Sequence, residues 1–415
     1  MPEPSATDRG ASLSPPAPAS GLTGEEPSLE SPVAPLARSL VTDLDGIRAL
    51  KDAYESLNRA TGNHLPFALQ EWHLAWCEHF LNRSPLIRER PLFCVLRAGD
   101  GECVAIVPLI LARRRVGPLK VATVSLVGAD PALTEIRNPL IKPGYERPAV
   151  RAVHETLAEI PDWDWIQWDR ISEPLAEALN REATAYWYGV TEDCILDLPA
   201  SWDEFRAGLK RNARESLRHC YNSLRRDGHE FELVVAQRPA EVHEAVERFL
   251  ALHAMRAAMA WGPKHVNLFA GRPAREFLFD VCASFAARDA LRVFQLRIGN
   301  SIVASRIGFI AGHSVYLYYS GFNPAWSRYS VMTTTQAEAF RYAIAHGIKS
   351  VNLSLTAEQS KVRWRPRVVR FKSALVHRKL LRSRIVSAAY RAAVTRRGPT
   401  ARILSAVFWP HRDWE

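Results

Sequence analysis

Three strand-like runs stand in series at 291–322: LRVFQLRIG, SIVASRIGFIAG and HSVYLYYSGF. Only Gly299-Asn300 and Gly312-His313 mark their joins, and turn signals that close make neighbouring runs pair antiparallel. A chain carrying such a meander is not all-helical. Next come the turn pair Asn323-Pro324, the stretch SRYSVMTTTQAEAF (327–340), a helix body QAEAFRYAIAHG closed by Gly347, and a last strand KSVNLSL. The order meander, loop, helix, strand predicts a mixed α/β (α+β) sheet fold. Threonines are poor helix formers, so Thr333, Thr334 and Thr335 at a first helical turn ask for a reason other than propensity.

At 415 residues the chain is too long for one ordinary core, and two domains with tails are expected. Residues 1–40, rich in Pro, Ser and Ala, lack the basic start and apolar stretch of a secretory signal and read as a disordered leader. No run of about 18 apolar residues occurs, so no spanning helix is expected, and with no secretory signal in the leader a cytoplasmic protein is expected. The six cysteines are scattered among apolar neighbours without a C-x-x-C pair, which points to reduced, buried thiols and away from zinc. The net charge of +10 is local. Beyond Glu358 the chain has 15 Lys and Arg against two acids, leaving 39 of the 54 basic and 42 of the 44 acidic residues before it. Residues 381–415 form a basic tail. With KLLRSRIVSAAYRAAVTRR (379–397) as an amphipathic helix and Phe408 and Trp409 as interfacial anchors, that tail suits peripheral attachment to an inner membrane or packing across the second domain.

In the first half, PFALQEWHLAWCEHFL (66–81) spaces Phe67, Trp72, Trp76 and Phe80 on one helical face. A hairpin follows over PLFCVLRAGDGECVAIVPLILARR, then a strand KVATVSLVG, a helix near 147–160 and a strand DWDWIQWD. The second half opens with one helix over SWDEFRAGLKRNARESLRHCYNSLRRDG. Its Arg211, Arg214, Arg218 and Arg225 fall within about 60° of arc, opposite Phe205, Leu209, Ala213, Leu217 and Leu224. Guanidinium suits phosphate through its bidentate fork, and a solvated basic face is the commoner use of such a stripe.

Four stretches together resemble a known family. They are the F-x-x-x-x-W-x-x-x-W helix of Phe67, Trp72 and Trp76; Val107-Pro108-Leu109 before basic residues; K-R-N-x-R at Lys210 to Arg214; and YYSGFNPAWSRYS followed by KVRW at 361–364. Their order over about 60–375 is similar to the CelD-like acyltransferases of bacterial polysaccharide biosynthesis, relatives of the Fem-type aminoacyltransferases within the GCN5-related N-acetyltransferase (GNAT) superfamily. The resemblance implies tandem acetyltransferase-like domains, each a mostly antiparallel sheet flanked by helices, at 41–197 and 198–380. It also implies transfer of an acyl group from acyl-CoA, such as acetyl-CoA, to an amine or hydroxyl of a small or glycan-linked acceptor.

In that family a loop Q/R-x-x-G-x-G/A presents backbone N–H groups to the CoA pyrophosphate at a helix N-terminus. The aligned residues are Arg328, Tyr329, Ser330, Val331, Met332 and Thr333, so the arginine is kept and both small positions are lost. Val331 stands where glycine permits positive φ, and Thr333 and Thr334 offer compensating donors. On the last strand and after it, VNLSLTAEQSKVRW has Asn352 in place of the family's aspartate and Ser360 in place of its tyrosine. By this resemblance Glu358 stands as general base, directly or through water, Lys361 as holder of an acyl oxygen or acceptor phosphate, and Tyr319 either as donor to the leaving thiolate or as a packing partner of Trp326. Arg211, Arg214 and Trp364 make up the acceptor-binding set.

Other chemistries fail on the residues present. HEAVE (243–247) lacks the second histidine of a zinc-protease helix, and no phosphate-binding G-x-x-x-x-G-K-[ST] loop or G-x-S-x-G elbow occurs. Metal is not expected. Two alternatives stay open beside the acyl-CoA enzyme: an aminoacyl-tRNA-dependent transferase on a cell-wall precursor, the one reading that calls for nucleic acid, and a catalytically degenerate scaffold of a polysaccharide synthase.

Overall fold

The computed structural model describes residues 35–395 apart from 83, 117–118, 130–132 and 262–263. The strands are β1 (Ala37–Val41), β2 (Ile87–Arg97), β3 (Cys103–Val116), β4 (Leu119–Leu126), β5 (Leu140–Ile141), β6 (Trp165–Ile171), β7 (Tyr186–Asp197), β8 (Phe231–Ala236), β9 (Leu291–Ile298), β10 (Ser301–Ala311), β11 (Ser314–Phe322), β12 (Ser350–Leu355) and β13 (Arg367–His377). The helices are α1 (Leu44–Ala49), α2 (Lys51–Ala60), α3 (Gln70–Phe80), α4 (Glu146–Glu159), α5 (Glu173–Glu182), α6 (Trp202–Gly208), α7 (Arg211–Arg226), α8 (Pro239–Ala257), α9 (Arg272–Ala287), α10 (Val331–Ala345), α11 (Gln359–Val362) and α12 (Leu381–Thr395).

One sheet takes in these strands in the order β1-β2-β3-β4-β6-β13-β7-β12-β11-β10-β9-β8, with β5 beside β3. It is antiparallel except at β4/β6 and β11/β12. The late strand β13 lies between β6 and β7 and pairs with both, so strands from the two halves of the chain share one hydrogen-bonded sheet. The mixed α/β fold, a largely antiparallel sheet flanked by helices, is the one expected, and β9-β10-β11 is the predicted meander.

Strand alternation sorts the core. Tyr316 and Tyr318 of β11 point into a cluster with Phe67 and Trp72 of the first half and Phe277 of α9, while Val315 and Leu317 point the other way, among Leu217 of α7 and Phe340 of α10. The helix expected over 66–81 is a 3-10 turn (Pro66–Ala68) and α3, parted by extended Leu69, and both pack on the second half: Phe67 of the turn meets Tyr316 edge-on at 4.9 Å, and Trp72 of α3 meets Phe277 at 5.1 Å. A third cluster joins α4 and α5 to β2, β3, β4 and β6. All six cysteines are free and buried.

Three further details differ from the sequence reading. Ala37–Val41 pairs with β2 as an edge strand, so regular structure begins within the stretch assigned to the leader. The helix expected over 201–228 is two helices, because Leu209 and Lys210 turn extended and drop the Leu209 side chain into the core after Gly208. The tail's first segment, α12, docks on the first half: Tyr390 lies 4.9 Å from the Trp165 ring, and Ser383 donates to Asp164 at 3.1 Å. Phe408 and Trp409 lie outside the described residues. Among those described, no helix is long and apolar enough to cross a membrane.

Helix α8 is pressed onto β11 at Gly321. A Cβ there would stand 2.2 Å from the His253 nitrogen and 2.4 Å from the Leu252 carbonyl carbon, both of them backbone atoms that cannot swing aside. Gly321→Ala is therefore expected to cost about 3 kcal/mol or more, read as a lowered denaturant midpoint. An unchanged midpoint would mean that α8 does not pack this closely.

Candidate active site

Parallel strands β11 and β12 pair only over Ser314–Tyr316 and Ser350–Asn352. Beyond those three pairs the strands part, leaving backbone donors and acceptors on facing edges without a neighbouring strand. On its other side β11 also departs from regular pairing with β10: Arg306 pairs with Ser320 and Gly308 with Leu317, so Tyr318 and Tyr319 together oppose Ile307. This is a β-bulge, which unpairs a backbone group and re-aims side chains.

The end of β12 is also irregular. Ser354 (φ 67°) and Thr356 (φ 73°) sit in the left-handed region, which side-chain-bearing residues occupy at a cost and which clusters at functional sites. Asn352 holds this turn: its Oδ1 accepts from the Ser354 N–H at 2.7 Å, and its Nδ2 donates to Asp193 of β7 at 2.6 Å. The Ser354 hydroxyl donates to Glu135 at 2.6 Å, and the Tyr316 hydroxyl donates to the same carboxylate oxygen. Glu135 lies on the loop before β5 in the first half. That loop is fixed by Trp72, whose indole N–H donates to Thr134 at 3.1 Å, by the Tyr318 hydroxyl on the Leu133 carbonyl at 2.5 Å, and by Arg170 on the Glu135 carbonyl at 2.7 Å.

Two carboxylates are thus buried at the point where the strands part, Glu135 at 5% exposure and Asp193 at 0%. Burial raises both, Glu135 against the hydrogen bonds from Ser354 and Tyr316, and Asp193 to about 7 against the bond from Asn352, with Glu135 adding repulsion. Lys361 of α11 stands at the mouth and donates to the Leu355 carbonyl. Burial, with Arg306 beside it, lowers the lysine.

The loop before α10 departs from its sequence reading in one respect. The left-handed residue is Ser330 (φ 52°, ψ 43°), not Val331. Val331 already begins the helix and is buried with Leu224, Leu296 and Val303, so a β-branched residue is accommodated there. The threonines are the first helical turn. Thr333 and Thr334 N–H both point to the Ser330 carbonyl, Thr335 Oγ1 donates to the Val331 carbonyl, and Thr333 Oγ1 accepts from Arg363 at 3.0 Å. The open first-turn donors are the N–H groups of Val331 and Met332. Arg328 stacks on the Tyr329 ring and lies 3.6 Å from Asp227.

The structure brings only part of the predicted set together. Lys361 belongs to the centre just described. Glu358 is exposed and precedes α11. Tyr319 lies in the β11 bulge, its ring 4.4 Å from Tyr318 and 5.7 Å from Phe269. Trp364 is buried between Phe205 and Phe340. Arg211 is exposed and paired with Glu215 at 2.7 Å. Arg214 lines a groove of about 1170 Å³ with Arg218, Arg225 and Arg341, where α7 stands against α6, β8 and α10.

Sequence reasoning missed Glu135, Asp193 and Tyr316. The aspartate absent at Asn352 has a counterpart on the adjoining strand, where Asp193 meets that asparagine, and a β7–β12 pairing across 159 positions leaves no local signal. Glu135, near apolar Leu133 and Ile136 in the connection 127–139, carries no motif that would single it out.

Residues 211–372 match the family described as an acetyltransferase (GNAT) domain. No curated protein matches the chain. Among solved structures it is similar to the crystal structure of FemX, at 11% identity and a TM-score of 0.50, covering 77% of this chain and 95% of that one. It is equally similar to a conserved protein of unknown function from Bacteroides thetaiotaomicron VPI-5482, at 11% identity and a TM-score of 0.50, covering 82% and 100%. At such identities the likeness concerns the fold. The acetyltransferase match runs from α7 to β13; it contains the parting strands, the α10 loop and Lys361, while Asp193 and Glu135 lie outside it.

Proposed function

We propose that this chain is an acyltransferase that moves an acyl group from acyl-CoA to an amine or hydroxyl of a small or glycan-linked acceptor, in keeping with a role in polysaccharide biosynthesis. What carries the reading is the parting of β11 and β12 beside a buried acid network, inside or against the segment that matches the acetyltransferase family. An extended thioester arm suits the unpaired edge of β11, as an added strand would. Its phosphates would meet the Val331 and Met332 N–H groups and Arg328 at the start of α10.

The chemistry follows from the groups at the centre. The acceptor nitrogen or oxygen attacks the thioester carbonyl, a C–S bond breaks, and the proton lost by the acceptor passes to Asp193, which returns one to the departing thiolate. Lys361 and the N–H freed at the bulge would stabilise the carbonyl oxygen as it gains charge. An acid near 7 is well matched to this exchange at neutral pH.

A second reading, with aminoacyl-tRNA as donor, is favoured by the arginine groove along α7. Thermal unfolding separates the two. Acetyl-CoA is expected to raise the midpoint, and Arg328→Ala to weaken its binding about tenfold, the worth of one charge-assisted contact. Protection by aminoacyl-tRNA alone, abolished by Arg214→Glu with Arg218→Glu, would replace the first reading with the second.

The pH dependence of Asp193 is set by its raised value. The folded protein holds this proton more tightly than the unfolded chain, so the group's contribution to stability is full below its ordinary value of 3.8 and is lost as pH rises to about 7. As a base it works above that pH. Release of free CoA is therefore expected to rise through about pH 7, and Asp193→Asn to lower it about a hundredfold at pH 8 while leaving the unfolding midpoint there unchanged or higher. A variant that keeps the rate and its inflection would remove Asp193 from the mechanism.

A further inference from the structure

Two partly buried arginines elsewhere in this protein face acids: Arg114 lies 3.4 Å from Glu89, and Arg137 lies 2.9 Å from Asp169. Around the bulge the pattern fails. Arg306 leaves β10 opposite Ser320, and its Nη2 lies 3.4 Å from the carbonyls of Leu317 and Tyr318, on the stretch where β11 has parted from β12. Arg256, from the last turn of α8, reaches the same place: its Nη1 donates to the Ser320 hydroxyl at 2.8 Å, and its Nη2 lies 2.8 Å from His265 Nε2. The Nε of each arginine is buried without a hydrogen-bond partner, as are those of Arg114 and Arg137; what sets Arg256 and Arg306 apart is that neither guanidinium reaches a carboxylate among the described residues. Lys361 completes the group with its single bond to a carbonyl.

Among the described residues, none of these three cations forms an ion pair. The acids that feel them are otherwise placed. Glu135 is engaged by Tyr316 and Ser354, and Glu358 is exposed at the start of α11. Burial lowers all three cations, and Arg306, with Arg256 close by, falls to about 10. Desolvated positive charges that repel one another and close no ion pair destabilise the fold that carries them. A device of that kind is retained where a ligand supplies the negative charge.

We propose that Arg256 and Arg306, flanked by Lys361, form a seat for an oxyanion, carboxylate or phosphate, carried by the acceptor, so that the acceptor is an anionic molecule and not a neutral sugar or simple amine. The word acceptor rests on the acyltransferase reading; the anion seat does not. The seat is built from α8, β10 and the β11 bulge, whereas the donor's phosphates belong at the start of α10.

The test uses the full chain and two probes, methyl phosphate and acetate, against sodium chloride at matched ionic strength, each with and without saturating desulfo-CoA. At least one probe is expected to raise the unfolding midpoint, to do so equally with desulfo-CoA bound, and to bind about tenfold more weakly to Arg256→Gln and to Arg306→Met. Which probe protects identifies the anion as phosphate or carboxylate. Without ligand, Arg306→Met should be at least as stable as wild type, since an apolar side chain of similar length removes an unpaired charge; a merely structural arginine would lower the midpoint. If Arg306→Met fails to fold, its structural role is shown and the proposal falls. Absence of protection beyond sodium chloride, or equal protection of both variants, also overturns it. Displacement of the probe by desulfo-CoA would reassign the seat to the donor. If the probe protects but neither acetyl-CoA nor desulfo-CoA does, the transferase reading fails and the anion seat stands.

Discussion

The site depends on a strand pair that stops early. β11 and β12 run parallel for three residues and then part, because β12 turns away through left-handed Ser354 and Thr356. That turn is unfavourable in itself and is held by bonds from Asn352 to the Ser354 N–H and from the Ser354 hydroxyl to Glu135. Glu135 comes from the other half of the chain, positioned by Trp72, Tyr318 and Arg170. The core that joins the halves and the opening between the strands therefore have a common support.

The polar centre runs against the interests of stability. Glu135 and Asp193 are acids raised by burial, while Arg306 and Lys361 are cations lowered by it. Opposite charges meet there without closing into ion pairs, so each keeps a reactivity that pairing would quench. The surrounding aromatic packing of Phe67, Trp72, Tyr316, Tyr318 and Phe309 offsets this cost, at positions where apolar burial is complete.

The meander and the loop-helix-strand order were legible because turn residues and period-two runs are local signals. Buried Val331 shows the limit of motif reasoning: the aligned position was right for a helix start, but the strained conformation fell one residue earlier, on Ser330. The place of β13 between β6 and β7, and the meeting of Asp193 with Asn352, depend on pairings distant in sequence that no window can show. Lys361 was named through resemblance, and it lies against the Leu355 carbonyl at the end of β12. Glu135 was not, since its role arises only when a first-half loop is packed against β12.

The opening between β11 and β12 is where the acyl donor is expected to lie, and amide hydrogen exchange tests this directly. With saturating acetyl-CoA, slowed exchange is predicted at 317–320 on β11, at 353–356 on the end of β12 and at 331–332 at the start of α10, with the outer face of α7 unchanged. Protection confined to α7 and its arginine groove, or no protection anywhere, would contradict it.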